Sequence, residues 1–134
     1  LSILSKRHNL RIAPEHYAAF INAHCKAFYA VDEWAAFIRT KDFSIGSRFH
    51  GNLIALLNGV AAVLFAHDSR TVEMAKFMKI PHHSVQEITH VDIRNFYEDA
   101  DFYSFSKAYT ENYAQYVAFM DRNKVPHHLL FARA

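Results

Sequence analysis

An arginine and a histidine two positions apart, Arg48 and His50, are the residues of this chain best suited to chemistry. They follow Ser47 and precede apolar residues at helical spacing, so we expect both in the first turn of a helix. Backbone N–H groups at such a point have no partner inside the helix, and the helix dipole adds about half a positive charge. Arg48 adds fixed hydrogen-bond donors and His50 a transferable proton. The pattern predicts a site that holds an acid and protonates it.

A strand is expected to lead into this turn. Residues 43–46 are too few for a helix, and Ser47, which follows them, is a good helix N-cap. The helix is predicted over residues 48–58, with Gly59 just past its end. The continuous apolar run 60–66 that follows is typical of a central strand in a parallel sheet.

A second strand-to-helix turn follows that strand. Asp68 or Ser69 is predicted to cap a helix that runs to about Lys79 and is stopped by Pro81. The other predicted elements are a helix over 15–29 with Pro14 at its start, a helix capped by Asp32 and ending near Thr40, a short strand over 82–87, a helix or loop over 91–96 and a long helix over 104–122. This alternation predicts a single α/β domain over residues 1–134, with a doubly wound, mostly parallel sheet flanked by helices.

Length and composition limit the class of protein. A chain of 134 residues with 51% hydrophobic residues can form one buried core. The net charge of +2 is small, and the basic residues of the chain are scattered along the sequence. Both observations disfavour nucleic-acid binding. No signal peptide or membrane-spanning run is recognised, and the single cysteine, Cys25, excludes an intrachain disulfide. These features predict a cytoplasmic protein, either whole or a fragment of a longer chain.

Two segments carry a resemblance to a known family. Gly46-Ser47-Arg48-Phe49-His50 and, after a helix and an apolar strand, His67-Asp68-Ser69-Arg70 resemble the polysaccharide pyruvyl transferase family. The resemblance covers roughly residues 30–125, and residues 43–81 are its specific part. It implies the C-terminal, donor-binding half of a two-domain enzyme with a GT-B-like arrangement. Such enzymes transfer the enolpyruvyl group of phosphoenolpyruvate onto a sugar as a ketal.

The resemblance also implies roles for individual residues. His50 would protonate the methylene carbon of phosphoenolpyruvate, and Arg48 would bind its phosphate or carboxylate. Arg70 would be a second anion contact if the two strands are neighbours. The remaining substrate-binding candidates are Ser47, Asn52 and Asp68. No cofactor is expected, and the partners would be phosphoenolpyruvate, a free or lipid-linked saccharide acceptor, and either a missing N-terminal domain or further copies of the chain.

Structural interpretations of the same residues remain open. Arg48 could pair with Asp42 or Asp68, and Asp68 with Arg70 could simply form a capped turn. No metal site is predicted, because the histidine pairs lack the i,i+4 spacing that places two imidazoles on one helical face. A packing role is expected for the aromatic stripe Tyr109, Tyr113, Tyr116 and Phe119. Alternative functions are a nucleotide-sugar-dependent GT-B glycosyltransferase half and a catalytically silent interaction domain.

Overall fold

The computed structural model describes residues 13–129. The chain is divided into two compact units, and the boundary between them follows Trp34. Helix α1, Pro14–His24, has its proline in the first turn as predicted, but it ends earlier than expected because Cys25 is extended. Helix α2 spans Val31–Ile38. The predicted cap at Asp32 is wrong, since the backbone is already helical at Val31 and Asp32 lies in the first turn.

The sheet lies wholly in the second unit and contains three parallel strands. Strands β1, Phe43–Gly46, β2, Ala61–Ala66, and β3, His82–Ser84, lie in the order β1-β2-β3. Gly46 is paired with Leu64, and Leu64 in turn with the first residue of β3. A parallel sheet flanked by helices confirms the predicted α/β class.

The helices of the second unit follow the predicted order with shifted ends. They are α3, Phe49–Leu57, α4, Ser69–Met78, a 3₁₀ turn at Val85–Glu87, α5, Ile93–Glu98, and α6, Phe102–Arg122. The strand predicted over residues 82–87 is too long, because only His82–Ser84 is extended and paired, and Val85–Glu87 forms the 3₁₀ turn. The segment at 91–96, predicted as a helix or loop, is helical from Ile93 onward. Among the helices within residues 13–129, none combines the length and the hydropathy that crossing a bilayer requires.

Alternate residues of β2 face different helices, which places helices on both faces of the sheet. Leu64 and Ala66 belong to a buried cluster with residues of α3, α4 and α6; its other members are Phe49, Ala75, Ile80 and Phe105. Phe65, which points the other way, meets Phe96 of α5 edge to face at 5.1 Å between ring centroids. The cluster fixes the start of α3, because Phe49 is the first residue of that helix.

The long helix α6 packs mainly through its beginning. Phe105 is 6% exposed, whereas Tyr116 and Phe119 are 52% and 53% exposed. The predicted packing stripe is therefore wrong for the later part of the helix. The physical reason is length: a helix of 21 residues extends roughly 31 Å, whereas a six-residue strand extends only about 20 Å.

Three helices end in the same way, with a residue in the left-handed backbone region. The amide that follows this residue donates to a carbonyl five residues earlier, as in a Schellman motif. The residues in that region are Gly59 (φ +77°), Lys79 (φ +55°) and Lys124 (φ +54°). Their following amides, of Val60, Ile80 and Val125, donate to Ala55, Ala75 and Met120 at 2.9, 2.9 and 3.0 Å. Gly59 confirms the predicted end of α3.

We expect Gly59→Ala to lower the free energy of unfolding by about 1 kcal/mol, because an alanine at this φ is strained. No atom lies within 4 Å of the added Cβ, so packing should contribute nothing. Gly59→Asn is the matched control and should lose less, since asparagine tolerates this region. Denaturant unfolding of the three proteins measures both changes, and equal losses for alanine and asparagine would contradict the argument.

Candidate functional site

The first strand-to-helix turn places Arg48 at the helix N-cap. Strand β1 ends at Gly46 and α3 begins at Phe49, so the N-cap is Arg48, with an extended backbone at φ −87° and ψ 109°. The prediction that Ser47 caps this helix is wrong, because the chain enters the helix one residue later. A guanidinium only donates hydrogen bonds, so Arg48 has no side-chain atom that can accept from the helix amides.

The amino end of α3 is consequently open to an acceptor from outside. The N-cap side chain accepts no hydrogen bond from the first amides, which belong to Phe49, His50 and Gly51. Arg48 and His50 are exposed. Within residues 13–129 the guanidinium of Arg48 forms no ion pair, so the alternative pairing with Asp42 or Asp68 is not present. The turn therefore combines positive charge with helix amides that the N-cap side chain does not satisfy.

His50 is the second residue of α3 and is held beside a buried neighbour. Its ring lies edge to face against Phe49, with 5.6 Å between the centroids and an angle of 89°. Phe49 is 9% exposed and belongs to the core cluster. The exposed imidazole is therefore adjacent, along the chain and in space, to a residue that cannot easily move.

A buried asparagine ties this turn together. Asn52 is 3% exposed. Its Nδ2 donates to the carbonyl oxygens of Gly46 at 2.9 Å and Arg48 at 3.1 Å, while its Oδ1 accepts from Ser44 Oγ at 3.0 Å. These bonds join the strand, the turn and the helix, which gives Asn52 a positioning role. Its contact with substrate stays a prediction.

The end of β1 requires a glycine. Gly46 has φ +156°, where a residue with a Cβ is strained even though no atom lies within 4 Å of the added carbon. Its carbonyl is one of the two that accept from Asn52 Nδ2. The backbone of Gly46 therefore helps to fix where Arg48 and His50 emerge.

At the second turn, a carboxylate of the chain itself, that of Asp68, accepts a hydrogen bond from a helix amide. Asp68 is the N-cap of α4, confirming the predicted cap, and its Oδ1 accepts from the Thr71 amide at 2.7 Å. The Asp68 amide lies 3.3 Å from Thr71 Oγ1, which completes a capping box. Hydrogen bonds from the backbone and then the side chain of Thr71 hold the pKa of Asp68 below its ordinary value of 3.8. His67 Nε2 lies 3.5 Å from the other carboxylate oxygen.

The two turns lie at the same edge of the sheet, because β1 and β2 are paired in parallel. This confirms the condition under which Arg70 was predicted to lie beside the first turn. Arg70 is the second residue of α4, as His50 is of α3, and both are exposed. No hydrogen bond or ion pair within the described part of the chain joins the two turns.

Three residues of the site were not assigned by sequence reasoning: Ser44, Gly46 as a positioning residue, and Thr71. For Thr71 a signal was present, since Asp-x-x-Thr at a helix start is a capping-box pattern. For Ser44 and Gly46 no local pattern exists, because their bonds to Asn52 depend on how strand and helix cross. Across residues 13–129, no group of three or more histidine, cysteine or carboxylate side chains is arranged to hold a metal ion.

Replacing Asn52 tests whether it holds the turn. We expect Asn52→Ala to lower the free energy of unfolding by about 2 to 4 kcal/mol, because three side-chain hydrogen bonds of roughly 1 kcal/mol each are lost at a buried position. Asn52→Asp keeps the shape but places a carboxylate against two carbonyl oxygens, so it should also destabilise. Urea unfolding measures both variants. A change below 0.5 kcal/mol in either, on the order of a surface substitution, would contradict the role.

Two aspartates that cap helices, Asp68 and Asp101, predict that the stability of the fold falls at acidic pH. Hydrogen bonds from Ser104 lower the pKa of Asp101 as those from Thr71 lower that of Asp68. Both carboxylates are thus harder to protonate in the folded chain than in the unfolded chain. Their stabilisation is present above pH 3.8 and is lost as the pH falls below 3.8 towards the folded pKa.

Chemical unfolding of the wild type, Asp68→Asn and Asp101→Asn between pH 2 and 6 measures this dependence. Each asparagine variant should lose less stability than the wild type between pH 4 and 2, since it lacks one of the two titrating caps. A wild-type slope retained by Asp68→Asn would show that the cap does not contribute to acid unfolding.

Comparison with known proteins gives one match. A family model described as polysaccharide pyruvyl transferase matches residues 3–69, which is half of the 134-residue chain. The matched part includes β1 and the turn with Arg48 and His50, and it ends at Ser69, one residue before Arg70. No curated protein and no solved structure matches the chain.

Proposed function

Because this chain belongs to the polysaccharide pyruvyl transferase family, we propose that it binds phosphoenolpyruvate at the first turn and transfers the enolpyruvyl group to a saccharide. The observation that carries the proposal is the unequal capping of two neighbouring helices. The amino end of α4 is filled by the Asp68 carboxylate, whereas α3 has an arginine at its N-cap whose side chain accepts no hydrogen bond from the helix amides. An anion from outside would supply what α3 lacks.

In this proposal Arg48 and the open amides of α3 hold the donor. Phosphoenolpyruvate carries a phosphate and a carboxylate, and a guanidinium can bind either through two parallel hydrogen bonds. Arg70, at the neighbouring turn, would take the second anionic group. Asp68 would keep that turn in shape, and Ser47, which is exposed beside Arg48, would add a hydroxyl to the donor site.

His50 would act as the general acid. Its proton adds to the methylene carbon, which becomes a methyl group and leaves an oxocarbenium-like centre. Two saccharide hydroxyls then form C–O bonds to that centre, the C–O bond to phosphate breaks, and inorganic phosphate leaves. Of the two hydroxyl protons, one restores His50 and the other is taken up by the leaving phosphate, so the products are the pyruvate ketal and inorganic phosphate.

The wider setting is part of the same proposal. The chain would supply the donor-binding half of the enzyme, and a further α/β half or another copy of the chain would contribute to the acceptor site. The acceptor would be a saccharide, free or lipid-linked, used in building a cell-surface polysaccharide. A cytoplasmic location is in keeping with a single cysteine, Cys25, that is free and exposed.

Binding and turnover of Arg48 and His50 variants test the proposal. Arg48→Gln should weaken phosphoenolpyruvate binding about 10- to 100-fold, the loss of hydrogen bonds from a charged group. His50→Gln should bind the donor within about threefold of the wild type but lower the rate of phosphate release with acceptor by about 10²- to 10⁴-fold. Calorimetry and a phosphate-release assay measure the two effects.

Arg94→Gln is the matched control, because Arg94 is, like Arg48, an exposed arginine at the start of a helix. The helix of Arg94 differs in having an aspartate N-cap, Asp92. The variant should bind phosphoenolpyruvate as the wild type does. Equal weakening by Arg94→Gln would indicate binding by general positive charge.

Binding of other ligands separates the alternative functions. Saturable binding of a nucleoside diphosphate with none of phosphoenolpyruvate would replace the proposal with the glycosyltransferase alternative. No binding of either ligand by folded protein would favour an interaction domain.

A further inference from the structure

A cavity lies at the opposite edge of the sheet from the candidate donor site. Its volume is about 360 Å³, and it is formed where the carboxyl end of α4 meets the amino end of α6. The polar residues that line it are Lys76, Lys79, His82, Asp101 and Ser104. His82 is the first residue of β3, so the cavity is at the amino edge of the sheet, whereas Arg48 and His50 follow the carboxyl end of β1. The two sites are therefore distinct.

The histidine of this cavity has a defined tautomer. His82 Nδ1 lies 2.8 Å from the carbonyl oxygen of Ile80. A carbonyl oxygen only accepts, so Nδ1 carries the proton and the neutral ring has its free lone pair at Nε2. Nε2 has no hydrogen-bond partner within residues 13–129. His82 thus offers an acceptor at the wall of the cavity.

The two lysines give the cavity a surplus of positive charge. Neither Lys76 nor Lys79 forms an ion pair within the described part of the chain. Among residues 13–129, Asp101 is the only carboxylate in the lining, and its Oδ1 already accepts from the Ser104 amide at 2.9 Å as the N-cap of α6. The lining therefore combines two cationic groups with hydrogen-bond acceptors at His82 and Asp101.

From this combination we propose that the cavity binds a small phosphate monoester that also carries hydroxyl groups. The two ammonium groups would hold the phosphate oxygens. Hydroxyls of the same molecule would donate to His82 Nε2 and to the carboxylate of Asp101. A cavity of this volume is within the range of small-molecule sites. The proposal does not depend on the function of the Arg48 site.

Titration of the isotope-labelled protein with three probes tests this site by NMR. Glycerol 3-phosphate should shift the amide signals of residues 76–82 and 101–104 in a saturable way. Inorganic phosphate should bind at the same place more weakly, and glycerol should produce no saturable shift. Absence of saturation with glycerol 3-phosphate, or equal binding of inorganic phosphate, would overturn the proposal.

The double variant Lys76→Gln with Lys79→Asn should weaken binding of glycerol 3-phosphate at least about fivefold, since each exposed charge contact contributes a few-fold. Asparagine suits position 79, because the residue there has φ +55°. Lys107→Gln, an exposed lysine of α6 outside the cavity, is the matched control and should bind as the wild type does. Unchanged binding in the folded double variant would overturn the proposal.

His82→Gln should also weaken glycerol 3-phosphate binding but leave inorganic phosphate binding unchanged, because its proposed partner is a hydroxyl group. Arg48→Gln should leave the saturable shifts of residues 76–82 and 101–104 unchanged with both probes, because Arg48 is not among the residues that line the cavity. Loss of these shifts in the folded Arg48→Gln variant would show that they arise from binding at the turn of α3, and would overturn the inference.

Discussion

The candidate donor site depends on the side chain of one buried residue, Asn52. Its amide joins the end of β1, the carbonyl of the N-cap and the hydroxyl of Ser44 in one set of hydrogen bonds. Without it, two backbone carbonyls in a tight turn would lose a partner that a part-buried site cannot easily replace with water. These hydrogen bonds and the burial of Phe49 set the positions of Arg48 and His50, whose own side chains take no part in the hydrogen bonds.

The two helix starts at this edge show how similar turns acquire opposite properties. Pairing of β1 and β2 in parallel brings the positive ends of two helix dipoles to one side of the sheet. At α4 an aspartate neutralises that charge and satisfies an amide. At α3 an arginine adds to it. An arginine N-cap is unfavourable for folding, since it supplies no acceptor and sets positive charge beside the dipole. An anionic ligand is the counterpart that would compensate for both.

The elements of this fold were largely predictable because their signals are local. The apolar run before His67 indicated a central strand, and Gly59 indicated where α3 ends; both follow from backbone chemistry within a few residues. Ser47 was predicted as the cap of α3 because serine is the better cap in isolation, but the chain enters the helix one residue later, at Arg48. The bonds of Asn52 to Ser44 and Gly46 span six to eight residues and could not be read from a pattern. The exposure of the later aromatic residues in α6 depends on the length of the sheet, which no single segment determines.

The arrangement of the first turn allows anion binding and proton donation, as proposed, to be carried out by two different residues, Arg48 and His50. His50 is one residue inside the helix beyond Phe49, so its ring is next to the core, while Arg48 precedes the helix and its guanidinium forms no ion pair within residues 13–129. A long side chain at the N-cap can adjust to a bound anion, whereas a proton donor must be held near one position to act on a carbon atom. The residue whose ring contacts the core is thus the proposed acid, and the residue at the N-cap is the proposed anion holder. An exchange of the two residues would place the acid at the N-cap, away from the contact with Phe49.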